Sequence, residues 1–588
     1  MKKLTAIVLA ALMLTGCASN TVTEVSSPET TAETTAAAEL SFAGTIAQDS
    51  TSAPEYVSRF DSETVITLSD SGITVEGDEE AVYTSNDIIY YEDRDTYDSG
   101  NPYGEGTDAD KHTADEAAAH TVVNITAPGA YRVTGKLSAG QIRVDLGDDA
   151  YEDPEATVEL ILDNADITCT VAPAILFLNT YECDGSWSTD TAVSDVDTSA
   201  AGANLILEGE NAVSGSYVAR IYKDKDGEKK LWKQDGAVYS YMSMNIYGPG
   251  ALDVTADNEG LNSELHLTIN GGDIAIRSAN DGINTNEDGV SVTTINGGTL
   301  HIIAGLGEEG DGIDSNGYLV INGGTVVASA NPASDAGLDS ELGSYVNGGT
   351  VVALGSTMDW AESDSDQVTM NLQFAQMQSS GCAIVVTKED GTVVFAYDPS
   401  EDEVLGENVR QYMGAVISCP GFALEETYNV YLDGTLTGEE VGGVYTGVTA
   451  YEGGTQMQYT GTDMRMGGGM GGQRPNGNME GKTFPEGFEP GEMPEDFTLP
   501  EGETMPEGGN RGGRGQRAEG DLKNMTPPEG FDGEMPTLPE GETMPEGGFG
   551  SGRGQGGMQN GTQSGEASTA FYMSDKVNAF SGVTAVTE

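Results

Sequence analysis

Between Met244 and Met358 the tripeptide Asn-Gly-Gly recurs four times, starting at Asn270, Asn296, Asn322 and Asn347, at intervals of 26, 26 and 25 residues. A second motif runs in antiphase: Glu259-Gly-Leu-Asn-Ser-Glu264, Asp281-Gly-Ile-Asn-Thr-Asn286, Asp311-Gly-Ile-Asp-Ser-Asn316 and Ala336-Gly-Leu-Asp-Ser-Glu341. A fixed period in the twenties is the signature of a solenoid, in which each repeat buries its apolar face only against its neighbours. The segments between the motifs, such as Leu267–Ile269, Ile274–Ile276, Leu300–Ile302, Leu319–Ile321 and Val326–Ala328, alternate with period two and are too short for helices. Each Asn-Gly or Asp-Gly pair is expected to supply a positive φ at a corner. Short strands joined by tight corners describe an all-β chain wound as a parallel β-helix, its coils about 4.8 Å apart.

The period frames the rest of the chain. Less regular strand-like pieces upstream, among them Val122–Ile125, Gly129–Val133, Val158–Thr168, Pro173–Leu178 and Asn204–Gly209, read as degenerate coils, so the solenoid is expected over residues 56–365. After Met358 the period stops, and hairpin-spaced strands with "EDGT" and "LDGT" turns predict a small antiparallel β cap over 366–462. Residues 463–569 are low-complexity Gly, Pro, Glu and Met, with "LPEGETMPEGG" present twice, and are expected to be a disordered insertion. The chain then returns as a closing strand over 570–588. At the other end, Met1-Lys2-Lys3 and an apolar run from Leu4 to Leu14 predict an export signal over 1–17. Residues 18–55, rich in Thr, Ser, Glu and Ala, predict a disordered tether.

Charge narrows the function. With 96 acidic against 26 basic residues the formal net charge is −70, so no basic footprint for nucleic acid exists. Stacking the coils on their Gly-(Ile/Leu) pairs predicts an inward ladder of Leu261, Ile283, Ile313 and Leu338. Beside it run Asn262, Asn284, Asp314 and Asp339; then Glu264, Asn286, Asn316 and Glu341; then Glu259, Asp281 and Asp311. Carboxylates about 4.8 Å apart repel by roughly 1 kcal/mol at the dielectric of water and about 3–4 kcal/mol at an effective 20. Asp281, Asn284, Asp311, Asp314, Asp339, Glu264 and Glu341 are therefore candidate ligands for Ca²⁺, which takes hard oxygen donors. The alternative is a solvated corner whose carboxylates and amides support the turns.

Ligand contact is predicted at the basic stretch 220–233, where Tyr222, Lys230, Trp232 and Lys233 combine ammonium groups for uronates with rings for pyranose faces. "KDKDGEKK" is equally a polar hairpin tip. Trp187 and Trp360 are further stacking candidates, although Trp360 could also plug the core. Four cysteines besides Cys17 permit the sequence-nearest pairings Cys169–Cys183 and Cys382–Cys419, and no CxxC suggests zinc. Neither HExxH nor GxSxG occurs, the four histidines are scattered, and a basic catalyst is missing from the acidic face, which argues against an enzyme.

Two resemblances sharpen these expectations. Leu14-Thr-Gly-Cys17 resembles the lipobox of bacterial lipoproteins, which implies lipidation of Cys17 and a membrane anchor on the extracellular face. "GAYRVTGKLSAGQIRVD" (129–145), "ELILDNADITCTVAPAILF" (159–177), "GAVYS" (236–240), "GPGALDV" (248–254), the repeated motifs and "VNAFSGV" (577–583) together resemble a clostridial carbohydrate-binding β-helix family whose type member binds cellulose and polygalacturonate. That resemblance implies a right-handed parallel β-helix like that of pectate lyases, bound calcium, and polysaccharide binding without cleavage. Two other functions remain open: an adhesive stalk that displays the 463–569 insertion to a protein partner, and a polysaccharide lyase or hydrolase.

Overall fold

The repeats build three parallel ladders around one apolar core. The computed structural model describes residues 42–49, 54, 56–91, 109–185, 188–189, 191–225, 228–356, 360–462 and 567–587. The lipobox, Trp187 and nearly all of the 463–569 segment lie outside the described residues. Among the described residues the chain is all-β, in a 27-stranded sheet, a nine-stranded sheet and a two-stranded hairpin, with one short α-helix, Ala114–Ala118, and three single-turn 3-10 segments.

In the first ladder Met244–Tyr247, Leu267–Ile269, Val292–Ile295, Tyr318–Ile321 and Gly343–Val346 pair parallel in turn. In the second, Ala251–Ala256, Asp273–Ser278, Thr299–Ile303, Thr325–Ser329 and Thr350–Gly355 do the same. The nine-stranded sheet, parallel from Thr121–Ile125 onward, is the third, and its last four strands are Glu259–Ser263, Ile283–Thr285, Ile313–Ser315 and Leu338–Ser340. Each repeat thus contributes one strand to each ladder. Parallel pairing reaches back to Glu63–Leu68, which pairs with Gly129–Leu137 and through it with Val158–Thr168.

The two corner motifs use glycine differently. In Asn-Gly-Gly the second glycine takes the positive φ, at 101°, 91°, 85° and 83° for Gly272, Gly298, Gly324 and Gly349. The side chain of the asparagine stacks: Asn296, Asn322 and Asn347 each donate from Nδ2 to the Oδ1 of the preceding rung at 2.9 Å. The glycines of the antiphase motif have no positive φ, contrary to the expectation from Asp-Gly. A Cβ on Gly282 would lie 2.2 Å from Ile302 Cγ2 and 2.6 Å from Gly312 O, so close approach between rungs demands that glycine. Asn322→Ala removes one donor and one acceptor from the middle of the amide ladder, and should destabilise by about 1–3 kcal/mol in denaturant titration. Substitution at exposed Glu439 should move the midpoint by less than about 0.5 kcal/mol.

The C-terminal strands form an antiparallel unit on the last rung. Thr350–Gly355 pairs antiparallel with Tyr412–Ser418, which pairs with Thr369–Gln378, and the returning strand Val577–Ala585 lies parallel to the latter. Polar contacts also tie this unit to the side of the ladders. His301 Nδ1 lies 3.1 Å from Asp402 Oδ2, Arg277 Nε donates to Val404 O at 3.1 Å, and Arg410 Nη1 donates to Ala304 O and Ala330 O.

Two expectations are corrected. Phe42–Thr45, placed in the tether, is a strand paired antiparallel with Val444–Glu452, because the Phe42 ring packs on Tyr431 and Tyr451, with centroids 5.2 and 6.1 Å away. Cys169, Cys183, Cys382 and Cys419 are free thiols rather than two disulfides. Each has its own surroundings: Cys169 in the repeat core, Cys183 beside Glu182 and Ser243, Cys382 near Tyr412 and Asp433, and Cys419 against Val394 O. Burial pushes the Cys169 thiol up to about 11 and those of Cys382 and Cys419 to about 12, which keeps them unreactive near neutrality.

Candidate functional site: an acidic edge of the nine-stranded sheet

The short strands of the third ladder set every side chain of the site in register. Leu261, Ile283, Ile313 and Leu338 pair rung to rung and are buried inward. The next position points to the other face, and carries Tyr239, Asn262, Asn284, Asp314 and Asp339 in one line. Two residues before each inward position stand Glu259, Asp281 and Asp311, followed by Ala336 in the last repeat.

Backbone and amide donors hold this edge. Asp281 Oδ1 accepts from the Asp311 N–H at 2.7 Å, and Asp311 Oδ1 from the Ala336 N–H at 2.5 Å. Glu259 accepts from the side-chain amides of Asn262 and, at 3.1 Å, Asn284. These donors do not offset the crowding. Burial pushes the Asp281 carboxyl well above the usual range, with Asp314, Asp311 and Glu259 adding to it. Asp311 is raised by burial and then by Asp339 and Asp314. Glu259 is raised to about 7 by burial and by Asp235, against the opposing effect of Lys233.

One atom in this row has no partner. Asn284 is 7 % exposed and its Oδ1 accepts no hydrogen bond. Its Nδ2 is committed to Glu259 on the preceding rung, and Asp314 stands in register on the next. A buried carbonyl oxygen beside carboxylates is repelled unless a proton or a cation sits between them. All the donors are hard oxygens, so the cation chemistry that fits is that of calcium. Among the described residues no group of three or more His, Cys, Asp or Glu converges on one point. The carboxylates are strung along the rungs, and an ion here would use two of them with the Asn284 amide and water.

The seven predicted metal ligands divide. Asp281, Asn284, Asp311, Asp314 and Asp339 share this edge. Glu264 and Glu341 stand two residues after Asn262 and Asp339, past the other end of the strands. Glu264 accepts from the Tyr239 hydroxyl and Glu341 is exposed. Glu259 and Asp235 were missed as ligand candidates, although Glu259 was in its ladder. The signal for Asp235 was absent from the period, since it follows a hairpin.

The predicted sugar-binding stretch is that hairpin: Val218–Lys225 pairs antiparallel with Glu228–Gln234, setting Tyr222 opposite Leu231, Lys223 opposite Lys230 and Ile221 opposite Trp232. The side chains of Tyr222, Lys230 and Trp232 lie outside the described residues. Lys233 is described, and its place was unexpected: Nζ pairs with Asp235 Oδ2 at 2.7 Å, at the head of the acidic edge beside Glu259. A basic group therefore does reach that face.

Residues 119–393, a little under half of the chain, match a family described as carbohydrate-binding domain-containing protein. A solved structure described as the polysaccharide lyase-like protein from C. thermocellum, as a gadolinium derivative, is similar over 49% of this chain and 93% of its own, at 21% identity and a TM-score of 0.29. No curated protein matches the chain.

Proposed function

We propose that this chain binds polysaccharide without cleaving it, through a parallel β-helix whose acidic edge holds calcium. The reading is supported by the unpartnered Asn284 Oδ1 within the row of Glu259, Asp281, Asp311, Asp314 and Asp339. The carbohydrate-binding description matched by residues 119–393 points the same way. The three ladders are the faces of right-handed coils, the hand that parallel crossovers take. Calcium bound at the edge would neutralise adjacent carboxylates and offer a positive site to uronate oxygens, so an acidic protein could hold an acidic glycan such as polygalacturonate. Lipidation at Cys17 would place it on the outer face of the cell membrane.

Lys233 favours a second reading, a polysaccharide lyase, because a basic side chain stands beside the acidic row. Its ammonium is ion-paired with Asp235, which suits it to holding a carboxylate rather than taking a proton. One experiment tests both. The soluble chain from Ala18 onward, which keeps the strand Phe42–Thr45, is mixed with polygalacturonate, with calcium and with chelator, while new reducing ends and unsaturated uronate are followed. Retention that chelation weakens at least tenfold, with no cleavage, is the expected result. Unsaturated products would establish the lyase instead, and retention indifferent to chelator would remove calcium from the ligand site.

A further inference from the structure

The strand Val577–Ala585 is an interior strand of the C-terminal unit. It lies parallel to Thr369–Gln378 on one side and antiparallel to Thr455–Gln458 on the other. Phe571, Met573, Phe580 and Val583 are buried in the unit's core. Tyr459 closes over two of them, its ring centroid 5.0 Å from that of Phe571 and 4.8 Å from that of Phe580. Asn578 fixes the register: its Nδ2 donates to Thr369 O at 3.3 Å, and its backbone O accepts from Asn371 Nδ2 at 3.1 Å. With this strand withdrawn, two facing strand edges stand unpaired beside an emptied core, and such a slot takes up a strand of matching sequence.

The connection to this strand is far longer than its ends require. The Tyr459 N–H donates to Ser568 O at 2.9 Å and the Ser568 N–H to Tyr459 O at 3.0 Å. Gly461 and Ser581 exchange the same two bonds at 3.2 and 2.8 Å. Antiparallel neighbours set side by side in this way are ordinarily joined by a turn of about 2–5 residues. Here 108 residues separate Tyr459 from Ser568. As a flexible coil a connection of that length spans roughly 50–60 Å between its ends, enough to reach the same slot on a neighbouring copy. It presents the strand to its own slot at an effective concentration on the order of 1 mM or less, because that concentration falls steeply with length. A second copy held at a similar local concentration therefore competes on equal terms.

We propose that residues 567–587 are exchanged between copies of this chain, so that the slot between Thr369–Gln378 and Thr455–Gln458 of one molecule holds the strand of another. The partner is a second copy, offering the identical strand to the identical slot. Exchange makes no new contact, so closed and exchanged molecules have the same core and concentration alone sets their balance. Closed molecules dominate in dilute solution, and exchanged ones accumulate where copies crowd together. An exchanged pair is joined through the C-terminal units, while the coils of the three ladders take no part. The proposal depends on neither calcium nor carbohydrate.

Gln458 and Thr584 stand opposite each other in the antiparallel pair, within reach of a disulfide when both are cysteine. In one chain, Gln458→Cys with Thr584→Cys should close within the molecule and report that the slot is filled. For exchange, the soluble chain from Ala18 onward is made as the two single variants, Gln458→Cys and Thr584→Cys, with tags of different size. The two are unfolded together and refolded at about 5 and about 100 µM, and a disulfide-linked heterodimer is expected whose share rises roughly in proportion to concentration. Replacing residues 463–566 by a four-residue turn should cut the heterodimer at least about tenfold and leave the intramolecular bond of the double variant intact. No heterodimer at either concentration, while the double variant closes, overturns the proposal. So does a yield that ignores concentration, or one that is unchanged by the short turn. Equal capture when the second cysteine is placed at exposed Glu439 instead of Thr584 is random thiol chemistry and overturns it too. Where the double variant does not close after refolding, the two single variants are co-expressed in one exporting cell, and the same heterodimer is the expected result there.

Discussion

Calcium added to the chelated protein is expected to raise its thermal midpoint by about 5 °C or more at pH 8 and by little at pH 5. At a free concentration one hundred times the dissociation constant, a ligand bound only by the folded state stabilises by about 2.7 kcal/mol. The pH dependence follows from protons competing for the same oxygens. Glu259, Asp281 and Asp311 have folded-state pKa values raised above those of the unfolded chain, Glu259 to about 7. Between pH about 4 and 7 the folded state therefore holds more protons than the unfolded one, and stability falls as pH rises. The contribution is complete below the unfolded carboxyl pKa of about 4 and is lost as pH passes through the folded values. Without calcium the protein should thus weaken from pH 5 to pH 8, and calcium should restore at pH 8 what protons supply at pH 5. Asp281→Asn tests the cause, because removing one like charge from a crowded buried row should stabilise the chelated protein at pH 8 and blunt the response to calcium. A midpoint that ignores calcium at both pH values, or an Asp281→Asn variant weaker than wild type in chelator at pH 8, would sink this account of the edge.

Ile313→Ala should cost about 2–5 kcal/mol in denaturant titration, the range for emptying a well-packed core position. Ile313 is fully buried and lies between Ile283 and Leu338 on its own ladder. The rungs on either side cannot close the gap, since Gly282 and Gly312 already sit in backbone contact and cannot approach further. Glu341→Ala, in the following repeat but exposed, should stay within about 0.5 kcal/mol. Equal losses for the two would mean that the inward ladder is not the spine of the fold.

The inward ladder Leu261–Ile283–Ile313–Leu338 and the row Asn262–Asn284–Asp314–Asp339 were legible in the sequence, and each stands in the predicted register. They were legible because a repeated motif turns a tertiary contact into a sequence match when each repeat adds one strand to each ladder. The Asn-Gly-Gly corners recur at nearly constant length, whereas the antiphase motif does not: Glu259 and Asp281 are 22 residues apart and Asp281 and Asp311 are 30. The Gly-(Ile/Leu) pair that follows each acidic residue placed Glu259, Asp281 and Asp311 together, and with them the acidic edge. Features outside the period were not legible. The glycines of Asp281-Gly282 and Asp311-Gly312 looked like turn residues but answer to Ile302 and to the backbone of the next rung. Nothing local says that Phe42 packs on Tyr451, that Asp402 reaches His301, or that Lys233 pairs beside Glu259. The four cysteines are nearest in sequence as two pairs, yet their thiols face different surroundings. Trp360 is a further case, since its exposed place beside Gly343 depends on Ala361 bridging Ser344 after the repeat has ended. The repeated motif encodes the contacts between successive rungs, because those recur with it. Contacts made once are selected by the packing of the whole chain and leave no repeat to read.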